Sequence, residues 1–105
     1  MPFREIEPQQ LRNLLASGGV TLIDVREPWE AEICSIAGGT SLPMGSLPQR
    51  LQDIPSERPV ALYCHHGVRS LLAAQFLASH GFDALSLAGG IERWAADVEP
   101  GMARY

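Results

Sequence analysis

Two short runs of this chain, Val20–Val25 and Pro59–Tyr63, are apolar almost without a break, and the first is rich in β-branched side chains. A strand with one wet face alternates apolar with polar residues. These runs do not, so each is predicted as a strand buried on both faces. A sheet covered on both faces needs helices, and helical segments lie between the strands. Pro8 to Ser17 reads as a helix with Leu11, Leu14 and Leu15 on one side, Pro8 in its first turn and Gly18-Gly19 ending it. Pro28 to Glu32 reads as a short helix, and Ser46 as the cap of another that carries Leu47, Leu51 and Ile54. Ser70 to His80 reads as the strongest helix, with Leu72, Ala73, Phe76, Leu77 and His80 at core spacing and Gly81 as its stop. Phe3 to Ile6, Thr40 to Leu42 and Asp83 to Leu87 complete the strands, and Gly89-Gly90 lead into a last helix with Ile91 and Trp94. Trp29 and Trp94 read as packing residues. Strands alternating with helices at this spacing predict a mostly parallel sheet with helices on both faces.

Composition narrows the function. The chain has 105 residues, which suits one domain over 1–105, with a core over about 4–96 and a tail over 97–105. Its net charge of −4 argues against a general nucleic-acid binder. No apolar run approaches the ~20 residues of a membrane span. The start, Met1-Pro2-Phe3-Arg4-Glu5, lacks the apolar stretch of a signal peptide. The expectation is a soluble cytoplasmic protein with no membrane or nucleic-acid partner. Two cysteines, Cys34 and Cys64, are too few for a disulfide framework. Cys34 reads as a small buried hydrophobe.

Cys64 reads differently because of its neighbours: Cys64-His65-His66-Gly67-Val68-Arg69-Ser70 joins the strand ending at Tyr63 to the helix. A thiol there faces backbone N–H groups and the positive end of a helix dipole, a setting that activates a thiolate as a nucleophile. Ligands of parallel sheets bind at the carboxyl ends of the strands, where Cys64 falls. Residues 58 to 82 contain no Asp or Glu but hold Arg58, Arg69 and all three histidines, a local reversal of charge in an acidic chain. Gly67 lets the loop curl so that its N–H groups converge on an anion. His65 and His66 could add positive charge or point to solvent. The bland alternative is an inert thiol beside an ordinary turn and a surface arginine. It is weakened by the dipole, which a cation in the first helical turn opposes. A zinc site from Cys34, Cys64, His65 and His66 lacks the paired ligand spacing of structural zinc, so no metal is expected.

The loop resembles that of the rhodanese-like sulfurtransferases, Cys-x-x-Gly-x-Arg followed by Ser or Thr. Leu22-Ile23-Asp24-Val25-Arg26-Glu27, Ile36 to Pro43, Gly81-Phe82 and Leu87-Ala88-Gly89-Gly90-Ile91-Glu92-Arg93-Trp94 resemble further motifs of that family, in its order. The resemblance implies a three-layer α/β/α domain with a five-stranded, mainly parallel central sheet. It implies a thiosulfate sulfurtransferase-like enzyme without cofactor, in which Cys64 carries sulfane sulfur as a persulfide. His65, His66, Gly67, Val68, Arg69 and Ser70 are then expected to cradle the substrate, and Asp24 and Arg26 to support the loop. The implied partners are small sulfur donors and acceptors such as thiosulfate, persulfides, cyanide or thiols, or a protein in either role. Four residues separate Cys64 from Arg69; the phosphatases with related loops have one more, which favours attack on sulfur here over phosphate. Two positions depart from the pattern. Ser35 stands where many members have His, and His65 and His66 stand where thiosulfate-cleaving members often have Arg or Lys. The alternatives are a non-catalytic interaction module, then an arsenate reductase or phosphatase, then a disulfide oxidoreductase with Cys34 as its second thiol.

Overall fold

The computed structural model describes residues 3–105; Met1 and Pro2, part of the expected domain and of the N-terminal reading, lie outside them. The strands are β1 (Phe3–Ile6), β2 (Thr21–Asp24), β3 (Gly39–Ser41), β4 (Val60–Tyr63) and β5 (Ala84–Leu87). They form one sheet in the order β1-β5-β4-β2-β3, and every pairing is parallel. The helices are α1 (Pro8–Ser17), α2 (Pro28–Ile33), α3 (Leu47–Arg50), α4 (Val68–Ala78) and α5 (Gly90–Asp97). Among the described residues no helix is long and apolar enough to cross a membrane.

The central strands β2, β4 and β5 are buried nearly throughout, as their unbroken apolar character requires. Successive residues face opposite layers. Ile23, Leu62 and Cys64 join Leu47, Ala73 and Leu77 on one face. Leu22, Ala61, Tyr63 and Leu85 join Leu11, Ile91 and Trp94 on the other. The result is three layers, with Cys64 on the α4 side at the carboxyl end of β4.

α1 and α2 start by the same device. Glu7 and Glu27 are N-caps, Pro follows at once, and the side chain three residues on, Gln10 or Glu30, accepts the N-cap N–H at 3.0 Å in both helices. Gly18, at φ 73°, ends α1 in the left-handed conformation that glycine adopts without strain.

Four expectations are corrected. α4 starts at Val68 rather than Ser70, and Leu72 and His80 are exposed. The buried stripe of α4 is Ser70, Ala73, Ala74, Leu77 and Ala78. Its alanines let the helix lie close to the sheet, which leaves Leu72 and His80 outside. Ser46 holds the N-cap position of α3 but makes no capping bond: its hydroxyl donates to the Pro43 carbonyl at 2.7 Å, and the expected helix is a 3-10 turn, the short α3 and a second 3-10 turn. Leu47 and Ile54 are still buried on one side. Trp29 is 58% exposed, whereas Trp94 is buried. Cys34 is only partly buried.

α5 begins directly against the β4–α4 loop. The N–H of Ile91 donates to the Cys64 carbonyl at 2.9 Å and that of Glu92 to the His65 carbonyl at 3.1 Å. Gly90 makes this approach possible. Its φ is +65°, and a Cβ there would lie 2.6 Å from the Cys64 carbonyl oxygen and closer still to that of His65. Gly90→Ala is expected to lower stability by about 1–3 kcal/mol from the left-handed backbone alone, with the backbone clash added. Gly45→Ala, where a Cβ would meet nothing within 4 Å, is expected to change stability by no more than about 0.5 kcal/mol. Urea unfolding of the two variants checks the contrast.

Candidate active site

The loop after β4 wraps the sulfur of Cys64 in donors. The Gly67 and Ser70 N–H groups donate to Sγ at 3.1 and 3.3 Å, and the thiol itself donates to the Ser70 hydroxyl oxygen at 3.5 Å. Gly67 is the N-cap of α4 at φ 103°, with no side chain to accept the free N–H groups of the first turn. The sulfur takes that place and meets the positive end of an 11-residue helix. Gly67 also lies flush against its neighbours: a Cβ there would sit 3.2 Å from the Gly89 nitrogen. Ser70 is fully buried, and its hydroxyl also reaches the Ser86 hydroxyl at 2.8 Å and the Gly67 carbonyl at 3.3 Å. Cys64 itself is 1% exposed, a recessed thiol.

Arg69 is exposed on one side and tethered on the other. Its two terminal nitrogens donate to the two carboxylate oxygens of Glu30, at 2.7 and 2.9 Å. Glu30 on α2 is buried and accepts four hydrogen bonds: two from Arg69, one from the Glu27 N–H and one from the Tyr105 hydroxyl at 2.7 Å. The Arg69 bonds, with help from Tyr105 and against burial, hold its carboxyl at about 2. The same pair keeps Arg69 well above its ordinary range, so it is always cationic. The charge of Arg69 is therefore balanced within the pair, which explains how a cation is tolerated in the first turn of α4.

Asp24 and Arg26 form a second buried pair. The Arg26 Nε and Nη2 donate to the two Asp24 oxygens at 2.9 and 2.7 Å. The remaining Arg26 donors go to the Cys34 carbonyl at 2.7 Å, the Tyr105 hydroxyl at 2.9 Å and the Glu30 carbonyl at 3.4 Å. Tyr105 thus bridges Arg26 and Glu30. Burial pushes its phenol up to about 12, so it stays a proton donor. Its ring stacks on His65 at 3.9 Å, and His65 stacks in turn on His66 at 3.9 Å. The buried Nε2 of His65 has no hydrogen-bond partner among the described residues. Burial, followed by the neighbouring His66, lowers the His65 pKa, so this ring is neutral near pH 7.

The site brings Cys64, His65, Gly67, Arg69 and Ser70 together, while Val68 faces out, 71% exposed. The reversal of charge read from residues 58 to 82 does not gather around the thiol. Arg58 precedes β4 and binds Thr21 at the far end of the strand, and His80 lies past the far end of α4 against Phe76. Glu30, Ser86 and Tyr105 have no motif of their own and escaped the sequence reading. A surface depression of about 670 Å³ lies along β1 and α1 beside Gln10 and Asn13, and no residue of the Cys64 loop lines it.

A parallel three-layer domain with a recessed cysteine cradled at the carboxyl edge of its sheet is the class that fold and site define. The sequence matches the Rhodanese-like domain family over residues 7–97, and the chain belongs to that family. It is 39% identical to a sulfurtransferase of Allochromatium vinosum over 87% of both chains. It is 40% identical to the probable adenylyltransferase/sulfurtransferase MoeZ of Mycobacterium tuberculosis, covering 95% of this chain but 26% of that one. The human single-domain sulfurtransferase TSTD1 superposes with a TM-score of 0.83 at 30% identity, over 89% of this chain and 96% of that one.

The Glu30 carboxyl has a lower pKa folded than unfolded, so its pairing contributes stability in full above about 4.5, its ordinary value, and loses it as pH falls toward about 2. Wild-type protein is expected to lose stability more steeply than Glu30→Gln across that window. Urea unfolding of both at stepped pH measures the difference.

Proposed function

We propose that this chain is a sulfurtransferase that carries sulfane sulfur on Cys64. The observation that carries the reading is the pair of backbone N–H groups that donate to Sγ, those of Gly67 and Ser70, both fixed by the start of α4. They stabilise a thiolate and then the anionic end of a persulfide without rearrangement. The Cys64 thiolate attacks the outer sulfur of the donor. With thiosulfate, the S–S bond breaks and sulfite leaves with its electron pair. An acceptor nucleophile such as cyanide, a thiol or a protein thiolate then attacks the terminal sulfur of the persulfide and returns Cys64 as thiolate. The sulfur travels on the protein's own side chain, and no cofactor takes part in either step.

The Ser70 hydroxyl lies against the thiol, whose S–H donates to its oxygen, and is held there by the Gly67 carbonyl and the Ser86 hydroxyl. His65 and His66 flank the loop's mouth, the Gly67 N–H faces the sulfur, Val68 faces away from it, and Arg69 supplies the part-exposed cation that meets an anionic donor. Asp24 and Arg26 hold α2 against the sheet and so hold Glu30 under Arg69. Similarity to the thiosulfate sulfurtransferase GlpE of Ectopseudomonas mendocina, 36% identical over 90% of this chain, supports thiosulfate as a donor. The neutral His65 and the charge-balanced Arg69 make the loop weakly cationic, which favours a persulfide or a protein as the better donor. Both cysteines are free thiols, in keeping with a reducing, cytoplasmic setting.

Incubation with thiosulfate or a small persulfide is expected to add the mass of one sulfur atom to wild-type protein, removable by a thiol and absent in Cys64→Ala. Intact mass spectrometry checks this. No gain with any donor would leave the interaction module as the better reading. Turnover of a phosphate ester dependent on Cys64 would replace sulfur transfer with phosphatase chemistry.

A further inference from the structure

The segment after α5 is pinned to the domain. The N–H groups of Val98 and Glu99 donate to the Trp94 carbonyl, the Glu99 carboxylate accepts the Trp94 indole N–H at 2.9 Å, and the Met102 N–H donates to the Glu99 carbonyl. Arg104 pairs with Glu92, and Val98, Met102 and Tyr105 pack against the core on the α5 face. The path delivers Tyr105 to the gap between α2 and the Cys64 loop. A tyrosine held there for packing alone would need only its ring. Here the hydroxyl is used twice, accepting from buried Arg26 and donating to buried Glu30.

We infer that Tyr105 is a positioning residue for the Cys64 reaction, its hydroxyl fixing the Glu30 carboxylate that orients Arg69 and its ring fixing His65 at the mouth of the loop. The inference rests on the sulfur-transfer reading only in naming the reaction. The geometry behind it is independent. Arg69 is tied to Glu30 through both terminal nitrogens, so its guanidinium turns with that carboxylate. Tyr105 donates to Glu30 Oε2, the same oxygen that accepts from one terminal nitrogen of Arg69. Without it, the carboxylate keeps its two bonds from Arg69 and one from the Glu27 N–H but loses the fourth, the one that ties it to the buried Arg26 through a shared hydroxyl. The Arg26 Nη1 then keeps only its 3.4 Å contact with the Glu30 carbonyl. The ring side has the same logic. His65 lies between Tyr105 and His66, at 3.9 Å from each and nearly parallel to both. Trp29 backs Tyr105 edge-on at 6.0 Å. The residue thus selects for anionic donors by keeping the cation of Arg69 in one place, and limits their approach by keeping His65 in one orientation.

Tyr105→Phe keeps the ring and removes the hydroxyl; Tyr105→Leu removes both the stack and the hydroxyl. The test is the rate of Cys64 alkylation by iodoacetate, an anion, against iodoacetamide, its neutral counterpart, with peptide mass mapping to separate Cys64 from Cys34. The ratio of the two rates is expected to fall at least about threefold in Tyr105→Phe, the effect of one hydrogen bond to a charged group. With thiosulfate, KM is expected to rise by a similar factor while kcat holds. A purely structural role would lower the unfolding midpoint and alter both alkylation rates alike. A wild-type ratio in Tyr105→Phe overturns the inference, and that variant decides the matter even if Tyr105→Leu fails to fold. If wild-type protein takes up no sulfur, the function proposed above falls, while the alkylation ratio still decides the role of Tyr105.

Discussion

The guanidinium of Arg26 is wholly buried, and the arrangement of the site depends on satisfying it. A buried cation is tolerated only when paired and fully hydrogen-bonded. Asp24 supplies the charge from the end of β2, the Cys34 and Glu30 carbonyls come from the next helix and its C-terminal cap, and Tyr105 supplies the last acceptor. Meeting these demands ties β2, α2 and the segment beyond α5 to one point. Glu30 is placed by the same knot, and Arg69 is placed by Glu30. One buried charge therefore sets the position of a cation on the far side of α2.

The loop itself is polarised by two helices. α4 points its free N–H groups at the sulfur, and α5 points its own at the carbonyls of Cys64 and His65. Carbonyl oxygens and sulfur, the loop's acceptors, are thus claimed by different helix starts. The left-handed glycines at 67, 89 and 90 are the backbone cost of packing two helix starts around one short loop. A side chain at Gly90 would strike main chain, and one at Gly67 would press tightly against it.

The parallel sheet was legible because β2 and β4 lack alternation, a direct imprint of burial on both faces. The Cys64 loop was legible because thiol, glycine and arginine are close in sequence. Glu30 was not. Its pattern is that of a capping-box acid near the start of a helix, a role it does fill, and nothing local reports that its other contacts come from Arg69 and Tyr105, 39 and 75 positions away. Tyr105 comes after a turn with no periodicity, so its docking is set entirely by tertiary contacts. Leu72 and His80 misled because helical spacing marks a candidate face without fixing its width, and the alanines of α4 make the buried stripe narrow. The cluster of basic residues misled for a related reason: β4 and α4 run in opposite directions and carry Arg58 and His80 away from Cys64.

The pairing of β1 with β5 bears on how the molecule comes into being. β1 is made first, but its partner in the sheet is the last strand. During synthesis on the ribosome, β1 and the β4 edge must wait for β5, and non-local pairings of this kind are slow to form. The bond between Arg26 and Tyr105 spans 79 positions and closes later still. Until then the Arg26 cation lacks one of its several acceptors, and the Cys64 loop lacks the α5 amides that grip its carbonyls. The α4 amides that face the sulfur are local to the loop, whereas the clasps that hold that loop from outside, α5 and Tyr105, are late contacts of the fold.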